Sequence, residues 1–164
     1  MFLQWNPNDL RASTLTLLRH SDLVYQVSWD PVNPLRLASA SGDGNTLIWD
    51  LNYPSPKTAL AQGSDVLCCA WIPEQDHVIL TGGTDGLIRI WDLRNPHFPI
   101  HRLDGHEFAV RKLITVKPNL FLSASYDKTV RCASLSKETN IRRTNKYLAG
   151  TISDELFLFQ IMES

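Results

Sequence analysis

A turn-and-strand phrase that returns at a fixed interval constrains this chain more than any other feature. Residues 82–93 read GGTDGLIRIWDL, residues 40–51 read ASGDGNTLIWDL and residues 124–135 read ASYDKTVRCASL. Asp43, Asp85 and Asp127 stand 42 residues apart, and so do Trp49 and Trp91. The run before each turn agrees as well: RLASAS at 36–41, VILTGG at 78–83 and LFLSAS at 120–125. Farther upstream, Trp29 and Trp71 keep the same interval of 42. β-Branched and aliphatic residues fill runs of strand length, and Gly, Asp, Asn and Pro punctuate them. Each unit is therefore several short strands joined by tight turns, and such units bury their apolar faces by stacking on one another.

A period of about 40–45 residues with several strands per unit specifies a β-propeller blade. The expected fold class is all-β, a propeller fragment of three recognisable blades with partial blades at both ends. The blades are placed at 22–63, 64–104 and 105–135. Residues 1–21 read as the end of a preceding blade, with Trp5-Asn6 in the place of Trp-Asp and STLTLLRH (13–20) as an outer strand. Residues 136–164 read as a shortened, degenerate blade: SKETNIRRTNK (136–146) shows no first strand, and YLAGTISDELFLFQI (147–161) reads as a hairpin turning at Asp154. The final strand of each unit is expected to join the next blade's sheet. No helix is signalled over 22–135. Closed rings take about four to eight blades. The chain is thus expected to be a fragment, a truncated product or a faulty reading of a longer gene, or to complete its ring with another chain.

Composition narrows the chemistry. The 164 residues are 43% hydrophobic and 20% charged, which suits a soluble globular protein. A formal charge of −1 leaves no basic footprint for nucleic acid. No apolar run reaches about 18 residues, so direct membrane insertion is not expected, and the N-terminus lacks a secretory pattern. Three cysteines, with Cys68 and Cys69 adjacent, give neither a disulfide framework nor a metal spacing. Neighbours on a strand face opposite ways, so Cys68 and Cys69 read as small strand residues in a reducing compartment. No phosphate loop or metal-ligand spacing occurs, and no cofactor or metal is expected.

The Trp-Asp endings resemble those of the WD-repeat family. That resemblance implies a hydrogen-bonded tetrad in each blade: a His before the first strand, a second-strand Ser or Thr, the turn Asp and the third-strand Trp. The matching residues are His20, Ser39, Asp43 and Trp49 in the first full unit. The second has Thr81, Asp85 and Trp91 with Ser64 in place of the His, and the third has His106, Ser123 and Asp127 with Ala133 in place of the Trp. Ser, His and Asp in one blade invite a hydrolase reading. Their return in successive units points instead to turn-supporting networks, and no enzymatic activity is expected.

The finer wording resembles the peroxin-7 family, receptors for the type 2 peroxisomal targeting signal. DVLCCAW, WDLRN (91–95) followed by Pro99, GHEFAVR (105–111) and SYDKTVR (125–131) stand in joint order after VYQVSWDP and ASASGDGNTLIWDL. Ala133, the shortened last unit and the missing N-terminal blades depart from the pattern. The resemblance implies a non-enzymatic receptor that binds cargo carrying an N-terminal signal and delivers it to the peroxisomal matrix. It implies a co-receptor and docking proteins as partners, and a cycle between cytoplasm and peroxisome. Two alternatives stand beside it. Asp92 and Arg94 after Trp91 match the WDxR pattern of substrate adaptors of cullin-type ubiquitin ligases, although Arg94 also reads as a cap on the blade rim; or the chain is a truncated, non-functional scaffold. For ligand contact, Asp22, Asp65 and Glu107 fall in loops leading into first strands, and Tyr25, Phe108 and Tyr126 lie near the same rim. Carboxylates there would position a basic signal residue, and aromatic faces would bury its apolar neighbours.

Overall fold

A computed structural model describes residues 2–6, 9–135 and 142–148, with side-chain surroundings over 16–135. Strands β1 (Phe2–Asn6) and β2 (Asp9–Leu17) form an antiparallel pair. Three four-stranded antiparallel meanders follow. The first holds β3 (Val24–Trp29), β4 (Arg36–Ser41), β5 (Asn45–Asp50) and β6 (Thr58–Ala61). The second holds β7 (Val66–Trp71), β8 (Val78–Gly83), β9 (Ile88–Asp92) and β10 (His101–Leu103). The third holds β11 (Val110–Lys117), β12 (Leu120–Ser125), β13 (Val130–Ser134) and β14 (Arg142–Leu148). The described residues contain no helix. The architecture is all-β, three successive propeller blades with a strand pair before them.

One expectation about the strands needs correction. The final strand of each unit does not join the next sheet: β6 pairs with β5 and β10 with β9. The loop after each third strand is short enough to bring the chain straight back alongside it. In the third sheet the fourth strand is β14, which pairs with β13. The hairpin expected over 147–161 lies, beyond Leu148, outside the described residues.

Stacking explains the burial pattern. Every residue of β7 is buried because the middle sheet is covered on both faces. Cys69 faces the first sheet among Ala38, Ala40, Trp71 and Trp91. Cys68 faces the third among Leu80, Ile90, Val110 and Phe121. The opposed placement is the one strand alternation requires, and burial pushes the Cys68 thiol up to about 12. Neighbouring sheets are also stitched by polar bonds that span one repeat. Gln26 Nε2 donates to Cys69 O at 2.9 Å, Trp71 Nε1 to Ser28 O at 3.0 Å and Gln75 Nε2 to Pro118 O at 3.2 Å. The Arg36 guanidinium lies over the Trp71 ring, 5.0 Å from its centroid. Leu17 of β2 packs on Leu37, Leu47 and Trp49.

The tight turn after β8 needs its glycine. Gly86 has φ +75°, and a Cβ there would lie 2.7 Å from the backbone oxygen of His106 in the next blade.

Trp49 and Trp91 are each 1% exposed. Removing a buried aromatic costs about 3–5 kcal/mol, whereas an exposed substitution usually stays within about 0.5 kcal/mol. Urea denaturation should therefore show Trp91→Ala strongly destabilised and Arg94→Ala close to the parent. Equal shifts would contradict this blade arrangement.

Candidate functional site

The polar networks sit where the loop before each first strand meets the turn after the second. In the first blade, His20 Nδ1 lies 2.7 Å from Asp43 Oδ2 and Nε2 lies 2.6 Å from Ser39 Oγ. Trp49 Nε1 donates to Ser39 Oγ at 2.8 Å. A carboxylate can only accept, so His20 carries its proton on Nδ1 and donates it to Asp43. Nε2 then accepts from the Ser39 hydroxyl, which in turn accepts from the Trp49 indole. One directed chain of donors thus runs from the third strand to the turn.

The other blades vary this chain. In the second, Trp91 Nε1 donates to Thr81 Oγ1 at 2.9 Å, and Thr81 Oγ1 donates to Gln62 Oε1 at 2.7 Å. Gln62, not Ser64, accepts from the second-strand hydroxyl. The link to the turn is made differently: Arg89 donates to Asp85 Oδ2 at 2.6 Å. Counting back from His106 leads to Ser64, but His20 and Gln62 both precede their hydroxyl partner by 19 residues and their turn Asp by 23. That shared spacing is the signal that identifies Gln62. In the third blade, His106 bridges Asp127 (2.7 Å) and Ser123 (2.8 Å), and the Thr129 hydroxyl donates to Asp127 Oδ1 at 2.6 Å. Ala133 supplies no indole donor, and Ser123 Oγ reaches the Arg131 carbonyl at 3.5 Å instead. Replacing Gln62 by Ala leaves the buried Thr81 hydroxyl without its acceptor. An orphaned buried donor costs about 1–3 kcal/mol, a loss that should register in the urea midpoint of Gln62→Ala.

These environments set the carboxylates. Burial alone would raise the Asp127 carboxyl, but the Thr129 hydroxyl, His106 and the Thr129 N–H together hold it well below its ordinary 3.8. Asp43 is likewise lowered, burial being outweighed by His20 and by the N–H groups of Ser21 and Asn45. Asp85 follows the same rule, with Arg89 and the Leu87 N–H opposing burial. A carboxyl depressed in the folded state contributes stability that is present above its unfolded value and is lost as pH falls through the folded value. Thermal melts should thus show the native chain weakening as pH drops below about 4. Asp127→Asn should be less stable at neutral pH and have a flatter profile below that point.

The same end of the sheets carries the residues expected to meet a ligand. The turns after β4, β8 and β12 are tied to the loops before β3, β7 and β11. Gly42 N donates to Leu23 O at 2.9 Å, Thr84 N to Asp65 O at 3.0 Å and Tyr126 N to Ala109 O at 3.0 Å. In the first blade Asp22 and Tyr25 converge: a Cβ on Gly42 would lie 3.1 Å from Asp22 Oδ2 and 3.3 Å from Tyr25 Cε2. In the third, Glu107 is exposed beside Phe108 and Tyr126, which are 60% and 59% exposed. Asp65 is half-buried at the base of the middle loop. The rim therefore holds two acidic-aromatic clusters, and among the described residues no hydrogen bond or ion pair joins them to each other or to Asp65. No described group of three His, Cys, Asp or Glu side chains is placed to hold a metal ion.

Comparison with known proteins agrees with this geometry. The repeat family described as WD domain, G-beta repeat matches residues 11–50, 55–92 and 98–133. The chain belongs to the WD-repeat family, whose members serve as protein-interaction scaffolds. Each match begins at an outer strand and ends with the third strand of the following sheet. The chain is 30% identical over 147 residues to the Peroxisomal targeting signal 2 receptor of Saccharomyces cerevisiae, an alignment covering 74% of this chain and 39% of that protein. It is 32% identical to Protein transport protein SEC31 of the same yeast, over 70% of this chain and 10% of that protein. It is 26% identical to the E3 ubiquitin-protein ligase COP1 of Pisum sativum, over 80% of this chain and 20% of that protein. The chain thus spans well under half the length of each of these relatives.

Proposed function

We propose that this chain contributes part of the cargo-binding propeller of a receptor for type 2 peroxisomal targeting signals. The observation that carries the reading is the rim on which Asp22 stands beside Tyr25, and Glu107 beside the exposed Phe108 and Tyr126. Paired carboxylates and aromatic faces suit a short signal helix with a basic first residue and apolar residues on the same side. The similarity to the yeast Peroxisomal targeting signal 2 receptor supports it. On this reading the chain binds and carries cargo without catalysing a reaction. Its partners are signal-bearing proteins, an import co-receptor and docking proteins, and it cycles between cytoplasm and peroxisome.

A role as adaptor for a ubiquitin ligase would engage Arg94. That side chain is 70% exposed, but its Nε and guanidinium nitrogen already hold both oxygens of Asp92, at 2.9, 3.1 and 2.6 Å. The pair satisfies itself as a rim cap, and an acidic partner would have to displace Asp92. The import reading is therefore preferred.

A fluorescent peptide bearing the type 2 signal tests it by anisotropy against the full chain. Reversing charge in the double variant Asp22→Lys, Glu107→Lys should weaken binding at least tenfold, about 1.4 kcal/mol. The effect should grow at low salt, where exposed charges are less screened. Unchanged affinity at low salt, with the strand spectrum intact, would remove the rim from the site.

A further inference from the structure

We propose that the first two blades dock a basic amphipathic helix of a partner protein at the end opposite the rim. Val32, Leu35 and Tyr53 cover its apolar stripe, and Asp50, Glu74 and Asp76 receive its cations. The rim turns follow Ser41 and Gly83, whereas these residues stand on the loops that join β3 to β4, β5 to β6 and β7 to β8. None of the rim residues discussed above belongs to this surface.

The three loops meet at Arg36. Its guanidinium holds the buried carboxylate of Asp30 and donates to the Asp76 carbonyl of the next blade. Across the ladder Arg36 pairs with Asp50, and Leu51 N donates to Leu35 O at 2.9 Å. The loop Asp30-Pro31-Val32-Asn33-Pro34-Leu35 is also fixed from within. Asp30 Oδ1 accepts from Val32 N at 2.8 Å and Asn33 Oδ1 from Leu35 N at 3.0 Å, and the two prolines restrict the backbone further. This frame holds Val32 51% and Leu35 46% exposed, with Tyr53 62% exposed on the loop tied to it. The same loop of the middle blade, one repeat of 42 residues on, has Glu74 in place of Val32 and His77 in place of Leu35. Apolar side chains gathered in water on a rigid loop mark a contact surface.

Charge selects the partner. Asp50 adjoins Leu51, and Glu74 and Asp76 stand exposed on the loop that Arg36 tethers. No ion pair among the described residues engages any of the three, and Arg36 is committed to Asp30. An apolar patch flanked by carboxylates is the complement of an apolar stripe flanked by Lys or Arg, which is the surface of a basic amphipathic helix. Loops present no row of edge N–H and C=O groups, so an added strand would have nothing to pair with. A membrane surface fits poorly, because its anionic headgroups would meet these carboxylates.

The test uses the full chain and two fluorescein-labelled amphipathic helical peptides of equal length, one of leucine and lysine and one of leucine and glutamate. By anisotropy the lysine peptide should bind at least tenfold more tightly than the glutamate peptide. The double variant Val32→Ser, Leu35→Ser should weaken the lysine peptide at least tenfold with the strand spectrum unchanged. The double variant Glu74→Lys, Asp76→Lys should weaken it too, and more so at low salt. The rim variant Asp22→Lys, Glu107→Lys should bind it as the parent does, which keeps this surface distinct from the cargo reading. Equal binding of the two peptides, no binding of either, affinity that survives both loop variants, loss in the rim variant, or tighter binding to phosphatidylserine vesicles than to the lysine peptide would overturn the proposal.

Discussion

The hydroxyl on the second strand of each blade is the interaction on which the rest depends. Ser39 and Thr81 each accept an indole N–H from the third strand and donate to a side chain in the loop before the first. The outer part of the sheet, its centre and its loop are locked together through one oxygen. Because Ser39 and Thr81 are buried, their hydroxyls need partners, and few arrangements of the loop supply them. The rim surface follows from that restriction. Asp22, Glu107 and Phe108 stand on loops whose neighbours are pinned from beneath, so their positions are held before any ligand arrives.

The second blade shows what the hydroxyl requires and what it tolerates. It accepts Gln62 in place of a histidine because the acceptor it needs is any oxygen or nitrogen lone pair at that point. The turn aspartate, having lost its histidine, takes the guanidinium of Arg89 from within the same hairpin. Function and structure separate here. A network that changes its members while keeping its geometry is a scaffold, and a catalytic centre would not survive such exchange. The WD-repeat family assignment and the protein-interaction role rest on the same geometry.

Much of this was legible in the sequence. The 42-residue interval set out the three meanders, and hydrogen bonds join His20 to Ser39 and Asp43, Trp49 to Ser39, Trp91 to Thr81, and His106 to Ser123 and Asp127. Gln62 was missed because the third unit is two residues shorter between loop and turn, so counting from it misaligns the second. β14 was missed because RRTNKYL lacks the alternation that marks a half-buried strand; its pairing with β13 depends on a neighbour that periodicity does not see. The bonds between sheets were not legible at all. Gln26 and Cys69 are unremarkable one by one, and only the stacking of sheets brings them into contact.

The bonds from Gln26 to Cys69, Trp71 to Ser28 and Gln75 to Pro118 each cross a single boundary between sheets. Among the described residues these bonds join each sheet to its neighbours, so cohesion there is a chain of nearest-neighbour couplings, as in a one-dimensional cooperative lattice. The middle sheet is covered on both faces, so its opening is coupled to both neighbours. A ligand that spans two blades would add a term to the lattice and slow local opening across the boundary it bridges, so recognition at the rim would be felt as order passed between repeats.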